Sequence, residues 1–157
     1  MTDSQSIYER NTGYFGQLTV ARGSIYNGND IKFYDNKADE LGGAAYILLK
    51  STFICSNCKF ERNESTKGGA VYVESDSQTY ITSSTFDRNK GSQLGSAFYI
   101  SNSETIPRSF IKNSTFTNNE GNVGSIFLDQ AALEIDDITL ANNLSQKTTS
   151  GIFLILS

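Results

Sequence analysis

Residues 60–72 are Phe60-Glu61-Arg62-Asn63-Glu64-Ser65-Thr66-Lys67-Gly68-Gly69-Ala70-Val71-Tyr72, and they contain both parts of a motif that recurs along the chain. Its first part, a ring followed three positions later by asparagine, recurs with starting positions 24 to 30 residues apart at Tyr8, Phe33, Phe60, Phe86 and Phe116, and in degenerate form at Leu140. Its second part recurs at Gly42-Gly43-Ala44-Ala45-Tyr46 and Gly95-Ser96-Ala97-Phe98-Tyr99. Two weaker copies begin at Gly124 and Ser150. A period of this length is typical of stacked units that bury a core only against their neighbours. The sequence therefore predicts a solenoid of about six coils.

Each unit combines short strand-forming runs with corners of Asn, Gly and Ser. Residues 110–116 alternate like a strand, residues 117–122 suit a turn, and residues 124–128 resume an apolar strand. Such short strands cannot hold an isolated hairpin together, but parallel stacking pairs each strand with its counterpart about 4.8 Å away. Because no segment shows a capped helical period, we predict an all-β parallel β-helix with two to three strands per unit and no long helix.

In such a stack, residues at one repeat position lie above one another. We expect a buried aromatic column that includes Phe33, Phe60, Phe86 and Phe116. We also expect an asparagine ladder at a corner, where each amide bonds to neighbouring backbone or to the next asparagine. Its members include Asn36, Asn63, Asn89 and Asn119. Closing turns is the expected role of this ladder, rather than ligand binding.

The strand after the glycines carries two apolar columns on opposite faces. We expect one column to contain Ala45, Val71, Phe98, Phe127 and Phe153, and the next to contain Tyr46, Tyr72, Tyr99, Leu128 and Leu154. The sequence leaves open which column faces outward. An outward column is either covered by flanking loops or forms a stripe that packs on a partner or another copy. If the tyrosines face outward, Tyr46, Tyr72 and Tyr99 are candidates for stacking on sugars.

The repeat resembles that of the polymorphic outer membrane proteins, whose hallmark is Gly-Gly-Ala-aliphatic paired with Phe-x-x-Asn. Four copies match the second motif outright, beginning at Phe33, Phe60, Phe86 and Phe116. The glycine motif is matched fully at Gly68 and loosely at Gly42. The resemblance covers about residues 6–155 and implies a right-handed parallel β-helix of the pectate-lyase-like kind. It also implies a bacterial surface adhesin or autotransporter passenger, and similar repeats occur in large surface proteins of ciliated protists.

Composition excludes several classes of function. The 157 residues carry a formal charge of −4 and an isoelectric point near 4.8, which argues against a nucleic-acid partner. No apolar run approaches the roughly 20 residues that span a bilayer, and Met1 to Ser6 lack the features of a signal peptide. With no histidine and two cysteines, a tetrahedral zinc site within this chain lacks ligands, and we expect no metal or cofactor.

Both ends of the chain look cut, because solenoids need capping units. The first ring lies at residue 8, and the chain stops in the apolar run 151–157. We expect residues 1–157 to be a single β-helical segment of a longer protein. The expected partners are then other segments of the same chain or other copies, and surface glycans.

Two cysteines stand three residues apart, as in redox and metal motifs. Cys58 shares its column with Ser84, Ser114 and Ile138, which favours a small buried residue over chemistry. A local disulfide between Cys55 and Cys58 is the less favoured alternative, because it would be strained on an extended strand.

Acid–arginine pairs follow the aromatic column, and stacking brings Glu61 near Asp87 and Arg62 near Arg88. Polysaccharide lyases and hydrolases on this fold use acids with Arg or Lys in a groove, so these four residues are the candidates for catalysis. Because the repeat itself generates the columns, a solvated charged face is the preferred interpretation. A carbohydrate-binding module using the tyrosines is a further alternative.

Three sequons for N-glycosylation begin at Asn63, Asn113 and Asn143, and Asn113 is favoured because the other two belong to the ladder. The function expected from all these features is a non-catalytic structural or adhesive segment of a cell-surface or extracellular protein or fibre.

Overall fold

The computed structural model describes residues 1–74, 76–101 and 109–155 as a right-handed parallel β-helix of about six coils. Each strand pairs in parallel with the strand at the same position in the next coil, which gives one ten-stranded and two six-stranded sheets. These ranges contain no helix, and thus none long or apolar enough to cross a membrane. The fold class predicted from the repeat is therefore confirmed.

Four strands form each of the first four coils. The first coil contains β1 (Thr2–Ser4), β2 (Ile7–Glu9), β3 (Thr12–Phe15) and β4 (Leu18–Val20). The second contains β5 (Ile25–Asn29), β6 (Lys32–Tyr34), β7 (Lys37–Leu41) and β8 (Ala45–Ile47). The third contains β9 (Thr52–Ser56), β10 (Lys59–Glu61), β11 (Glu64–Lys67) and β12 (Val71–Val73). The fourth contains β13 (Gln78–Thr82), β14 (Thr85–Asp87), β15 (Lys90–Leu94) and β16 (Phe98–Ile100).

In the last two coils the first two strands merge into one of nine residues. The fifth coil contains β17 (Ser109–Thr117), β18 (Glu120–Gly121) and β19 (Ile126–Asp129), and the sixth contains β20 (Leu133–Ala141), β21 (Leu144–Ser145) and β22 (Ile152–Ile155). The expected two to three strands per unit is therefore too few for the first four coils. The strand that sequence reasoning missed is the one after the asparagine, because strands such as β11 are polar and show no apolar alternation.

One residue with left-handed backbone marks each of three corners of the coil. The first corner, between the first two strands, contains Asp30, Asn57, Ser83, Asn113 and Asp137, with φ between 48° and 57°. The second, the charged corner, contains Asp35, Arg62, Arg88, Asn118 and Asn142. The third is the glycine corner, formed by Gly42, Gly68, Gly95 and Gly124. At Gly68 a Cβ atom would lie 2.3 Å from the Val71 carbonyl oxygen, so this corner requires glycine.

The aromatic column lies inside the coil. Rings of Phe33, Phe60, Phe86 and Phe116 are fully buried and nearly parallel, with successive centroids 5.0, 4.5 and 4.4 Å apart. The asparagine ladder runs beside it. In a typical step, Asn63 donates from both its backbone nitrogen and Nδ2 to Asn89 Oδ1, each at 3.0 Å. Its Nδ2 also donates to the Phe33 carbonyl at 3.0 Å, so the buried amide is fully used between coils.

In the rest of the core, large and small side chains exchange strands from one coil to another, which keeps the side-chain volume inside each coil similar. The second and third coils place Tyr26 and Phe53 on the first strand, opposite small Ala45 and Val71 on the last strand. The fourth coil reverses this arrangement, with Thr79 on its first strand and Phe98 on its last. Close packing requires such exchange, because every coil must fill a similar interior.

The strand after the glycine corner corrects both expected columns, which are wrong by one residue at Phe127 and Phe153 and at Leu128 and Leu154. Phe98 pairs with Ile126, and Tyr99 pairs with Phe127, so the expected pairing of Phe98 with Phe127 is wrong by one residue. Ile126 pairs in turn with Ile152, and Phe127 with Phe153. The shift arises because the chain needs three residues from Gly95 to Phe98 but only two from Gly124 to Ile126.

Candidate functional site

The charged corner brings the predicted acid and arginine residues together as a chain of ion pairs. Arg62 binds Asp35 of the preceding coil through two bonds, Nε–Oδ1 at 2.6 Å and Nη2–Oδ2 at 3.0 Å, and also contacts Glu61. Arg88 binds Glu61 Oε1 of the preceding coil at 2.6 Å and Asp87 Oδ2 at 2.8 Å. The corner thus links three successive coils.

Hydrogen bonds from the next coil complete the environment of Asp87. Its Oδ1 accepts from Thr117 Oγ1 at 2.9 Å and from Asn118 Nδ2 at 2.8 Å. Asp35, Thr117 and Asn118 were not among the predicted site residues, although they occupy the same repeat positions as the residues that were. Alignment by column, rather than by residue type, would have found them.

The electrostatics of the corner hold two of its aspartates in the charged form. Burial raises the pKa of Asp87, but hydrogen bonds from Asn118 and Thr117 and the charge of Arg88 outweigh it and lower the pKa overall. The hydrogen bond from Arg62 lowers the pKa of Asp35. A general acid in glycoside hydrolysis needs a raised carboxyl pKa, so these two aspartates are poorly suited to that role.

The tyrosines point out of the coil and form the outer aromatic stripe, which consists of Phe15, Tyr46, Tyr72, Tyr99, Phe127 and Phe153. Rings of Tyr72 and Tyr99 stack at 4.8 Å, and Tyr99 stacks on Phe127 at 5.1 Å. Side chains of Leu41, Leu48, Leu94 and Val123 pack against the stripe. Tyr46, Tyr72 and Tyr99 are only 6%, 7% and 2% exposed.

Tyr72 and Tyr99 lie face to face, whereas Tyr46 meets Tyr72 edge-on at 5.7 Å, and the low exposure of all three rings leaves little ring surface open to a sugar. Tyr46 donates its hydroxyl to Glu74 Oε2 at 2.9 Å, and Tyr99 donates to Asp129 Oδ2 at 3.0 Å. Burial is the main cause that raises the pKa of Tyr46, Tyr72 and Tyr99, so their hydroxyls stay protonated. Sugar stacking by these residues remains a prediction, and the geometry gives it little support.

A disulfide joins Cys55 and Cys58, which corrects the preference for two buried thiols. Both residues are buried, as expected, with Cα atoms 6.0 Å apart. The left-handed backbone of Asn57 turns the chain between them, so the two side chains meet inside the first corner instead of along an extended strand. In the described ranges, no group of three His, Cys, Asp or Glu residues could hold a metal ion.

Comparison with known proteins identifies the family. Residues 6–145 match the family described as the right-handed beta helix region, and the chain belongs to this family. No curated protein and no solved structure matches the chain. Because one fold of this kind hosts many functions, membership establishes the architecture and leaves the activity to be argued from the residues.

Proposed function

We propose that the chain is a non-catalytic structural and adhesive segment of a large cell-surface or extracellular protein or fibre. One observation carries this proposal: the polar columns of the repeat are used to bond one coil to the next. Asn63 bonds Asn89, Arg62 bonds Asp35, and Arg88 bonds Glu61, each across a coil boundary. Side chains that make such contacts stiffen a rod, and few of their donors and acceptors remain free to bind a substrate.

The disulfide and the repeat pattern support an extracellular location. Disulfides persist mainly in oxidising environments outside the cytosol, and Cys55–Cys58 lies within the core rather than at an exposed redox site. The resemblance to polymorphic outer membrane protein repeats adds the adhesive role. The partners that we propose are other segments of the same longer chain or other copies, with surface glycans as the target of adhesion.

Electron microscopy of the native particle that contains this chain, at side-chain resolution, tests the proposal. We expect density for further coils or further copies stacked on the segment, in a rod or fibre outside the cytosol. A compact capped domain with a walled groove over Glu61 and Asp87 would overturn it. Antibody labelling of intact cells gives an independent measurement of location.

An activity assay tests the absence of catalysis. The chain is incubated with acidic and neutral polysaccharides, and released reducing ends and unsaturated products are measured. We expect none. Turnover that disappears in Asp87→Ala, with the fold intact by circular dichroism, would instead favour a polysaccharide lyase or hydrolase. Glycan retention lost in Tyr72→Ala, without a matching loss of stability, would favour a carbohydrate-binding module.

A further inference from the structure

The three sequons differ in the surroundings of the asparagine Nδ2, the atom to which a glycan would be attached. Asn63 is fully buried, and its Nδ2 donates to the Phe33 carbonyl and to Asn89 Oδ1. Asn143 occupies the same ladder position, and its Nδ2 donates to the Phe116 carbonyl at 2.9 Å. A sugar on either nitrogen would remove a ladder hydrogen bond and place a bulky polar ring within the coil, which the fold cannot accept.

Asn113 lies outside the coil at the first corner. Its backbone is left-handed, with φ of 49°, and its side chain is exposed with no hydrogen-bond partner in the described part of the chain. Ser114 points inward and is buried, so alternation along β17 turns Thr115 outward. The corner residues of the adjacent coils, Ser83 and Asp137, are small or medium-sized and exposed, which leaves room for a large substituent.

We propose that Asn113 is a site of N-linked glycosylation, with the glycan projecting from the first corner. In this modification, Asn113 Nδ2 forms a bond to the anomeric carbon of the first sugar of a lipid-diphosphate-linked oligosaccharide. The bond from that carbon to the diphosphate oxygen breaks, the lipid diphosphate leaves with the electron pair, and Nδ2 releases one proton. The glycan is added to the nascent chain, so the folded structure decides which attachment sites are compatible with a native rod.

The proposal rests on the proposed function in one respect, which is export through a secretory pathway. The Cys55–Cys58 disulfide supports that route, because oxidation and N-glycosylation occur in the same compartment. The two features share the first corner, since Asn57, between the cysteines, occupies the same corner position as Asn113 two coils earlier. Glycosylation here would decorate one edge of the rod and leave its charged corner and outer aromatic stripe uncovered.

Site occupancy in a eukaryotic secretory cell line tests the proposal. The chain is expressed behind a secretory leader, and both secreted and cell-retained protein are analysed by peptide mass spectrometry after enzymatic deglycosylation, which marks each occupied asparagine as aspartate. Asn113→Gln and Thr115→Val each remove the sequon. A matched gain-of-site control is Ser83→Asn in the Asn113→Gln background. It creates the same Asn-Ser-Thr tripeptide at the same corner one coil earlier, where φ is 50°.

We expect occupied Asn113 in most molecules, unoccupied Asn63 and Asn143 in secreted protein, and loss of one glycan in each sequon variant. We also expect Ser83→Asn to restore a glycan. Unmodified Asn113, a secreted chain that carries a glycan at Asn63, or no glycan in the Ser83→Asn variant would overturn the proposal. Failure of the proposed function would be seen separately, as a capped domain in particle images or as polysaccharide turnover, and neither result alters the measured occupancy.

Discussion

At the scale of single residues, the choice between tyrosine and phenylalanine in the outer aromatic stripe follows the residue that the ring meets in the next coil. Tyr46 donates to Glu74 and Tyr99 donates to Asp129, and Ser101 is the polar residue beside the Tyr72 hydroxyl. Phe127 continues the column, and the position equivalent to Asp129 in the next coil is Ile155. A hydroxyl is therefore present where a polar partner is present, because a buried hydroxyl without a partner is costly.

Replacing Tyr99 with phenylalanine should lower the free energy of unfolding by about 1 kcal/mol, because the hydrogen bond to Asp129 is lost while the stacked ring remains. Urea denaturation followed by circular dichroism measures the change. Tyr14→Phe is the control. Because Tyr14 is 59% exposed, loss of its hydroxyl should leave the free energy of unfolding unchanged. Equal effects of the two substitutions would contradict this account of the stripe.

Asn89→Asp should destabilise the protein by about 3–5 kcal/mol, because it buries a carboxylate and removes both donors of the ladder amide. The exposed Asn142→Asp, next to the ladder at the charged corner, is the matched control and should change stability by less than about 0.5 kcal/mol. Thermal unfolding of both variants gives the comparison. A tolerated Asn89→Asp would show that the ladder is not important for stability.

At the scale of the strand, the position of bulk within each coil decides which core substitutions are tolerated. The third coil fills its interior with Phe53 and Val71, and the fourth does so with Thr79 and Phe98. The buried Thr79 Oγ1 has no hydrogen-bond partner among the residues that the structure describes, so a ring at this position would remove no polar contact seen there. The fourth coil should therefore accept the arrangement of the third.

Phe98→Val should cost about 1–3 kcal/mol by leaving a cavity, and Thr79→Phe should cost a similar amount by overpacking. In the double variant we expect recovery of more than half of the summed loss, because the fourth coil then has the ring arrangement of the third. A double-mutant cycle from urea denaturation measures the coupling. Additive losses would mean that the two positions do not share space.

The sequence predicts those strands and columns whose residues repeat in kind. Rings such as Phe60 recur in the first five coils and asparagines such as Asn63 recur in all six, and parallel in-register pairing turns that period directly into columns. The polar strand β11 was missed because its side chains are polar and show no apolar alternation, although Ser65 is buried. The one-residue shift in register after Gly124 was missed because residue spacing in the sequence does not show how many residues form each corner. The disulfide depends on the left-handed backbone of Asn57, which residue type alone does not determine.

At the scale of the whole molecule, the charged corner joins successive coils by pairs that depend on ionised carboxylates. Asp35 and Asp87 have lowered pKa values in the folded chain, caused for Asp35 first by Arg62 and for Asp87 by hydrogen bonds that outweigh its burial. A group whose pKa is lower in the folded state stabilises the fold above its unfolded pKa, near 4, and that contribution disappears as the pH falls through the folded value.

Thermal stability should therefore be nearly constant from pH 7 to about pH 5 and fall as the solution is acidified through about pH 4 and below. In Asp35→Asn and Asp87→Asn the neutral side chain cannot titrate, so the unfolding temperature should be lower at pH 7 and less dependent on pH. Melting curves at a series of pH values measure both effects. An unchanged pH profile in both variants would assign the acid sensitivity to other carboxylates.

The hydrogen bonds of the three sheets all run along the axis of the β-helix, from one coil to the next. A mechanical load that pulls the chain by its ends would therefore break the hydrogen bonds of a terminal coil first and unfold the rod one coil at a time. A coil of 26 residues, such as that from Phe60 to Phe86, would release about 90 Å of extended chain. Because the disulfide spans only three residues, it would hold back almost none of that length. Because the coils are 24 to 30 residues long, we expect such a load to extend the molecule in successive steps of about 80 to 100 Å.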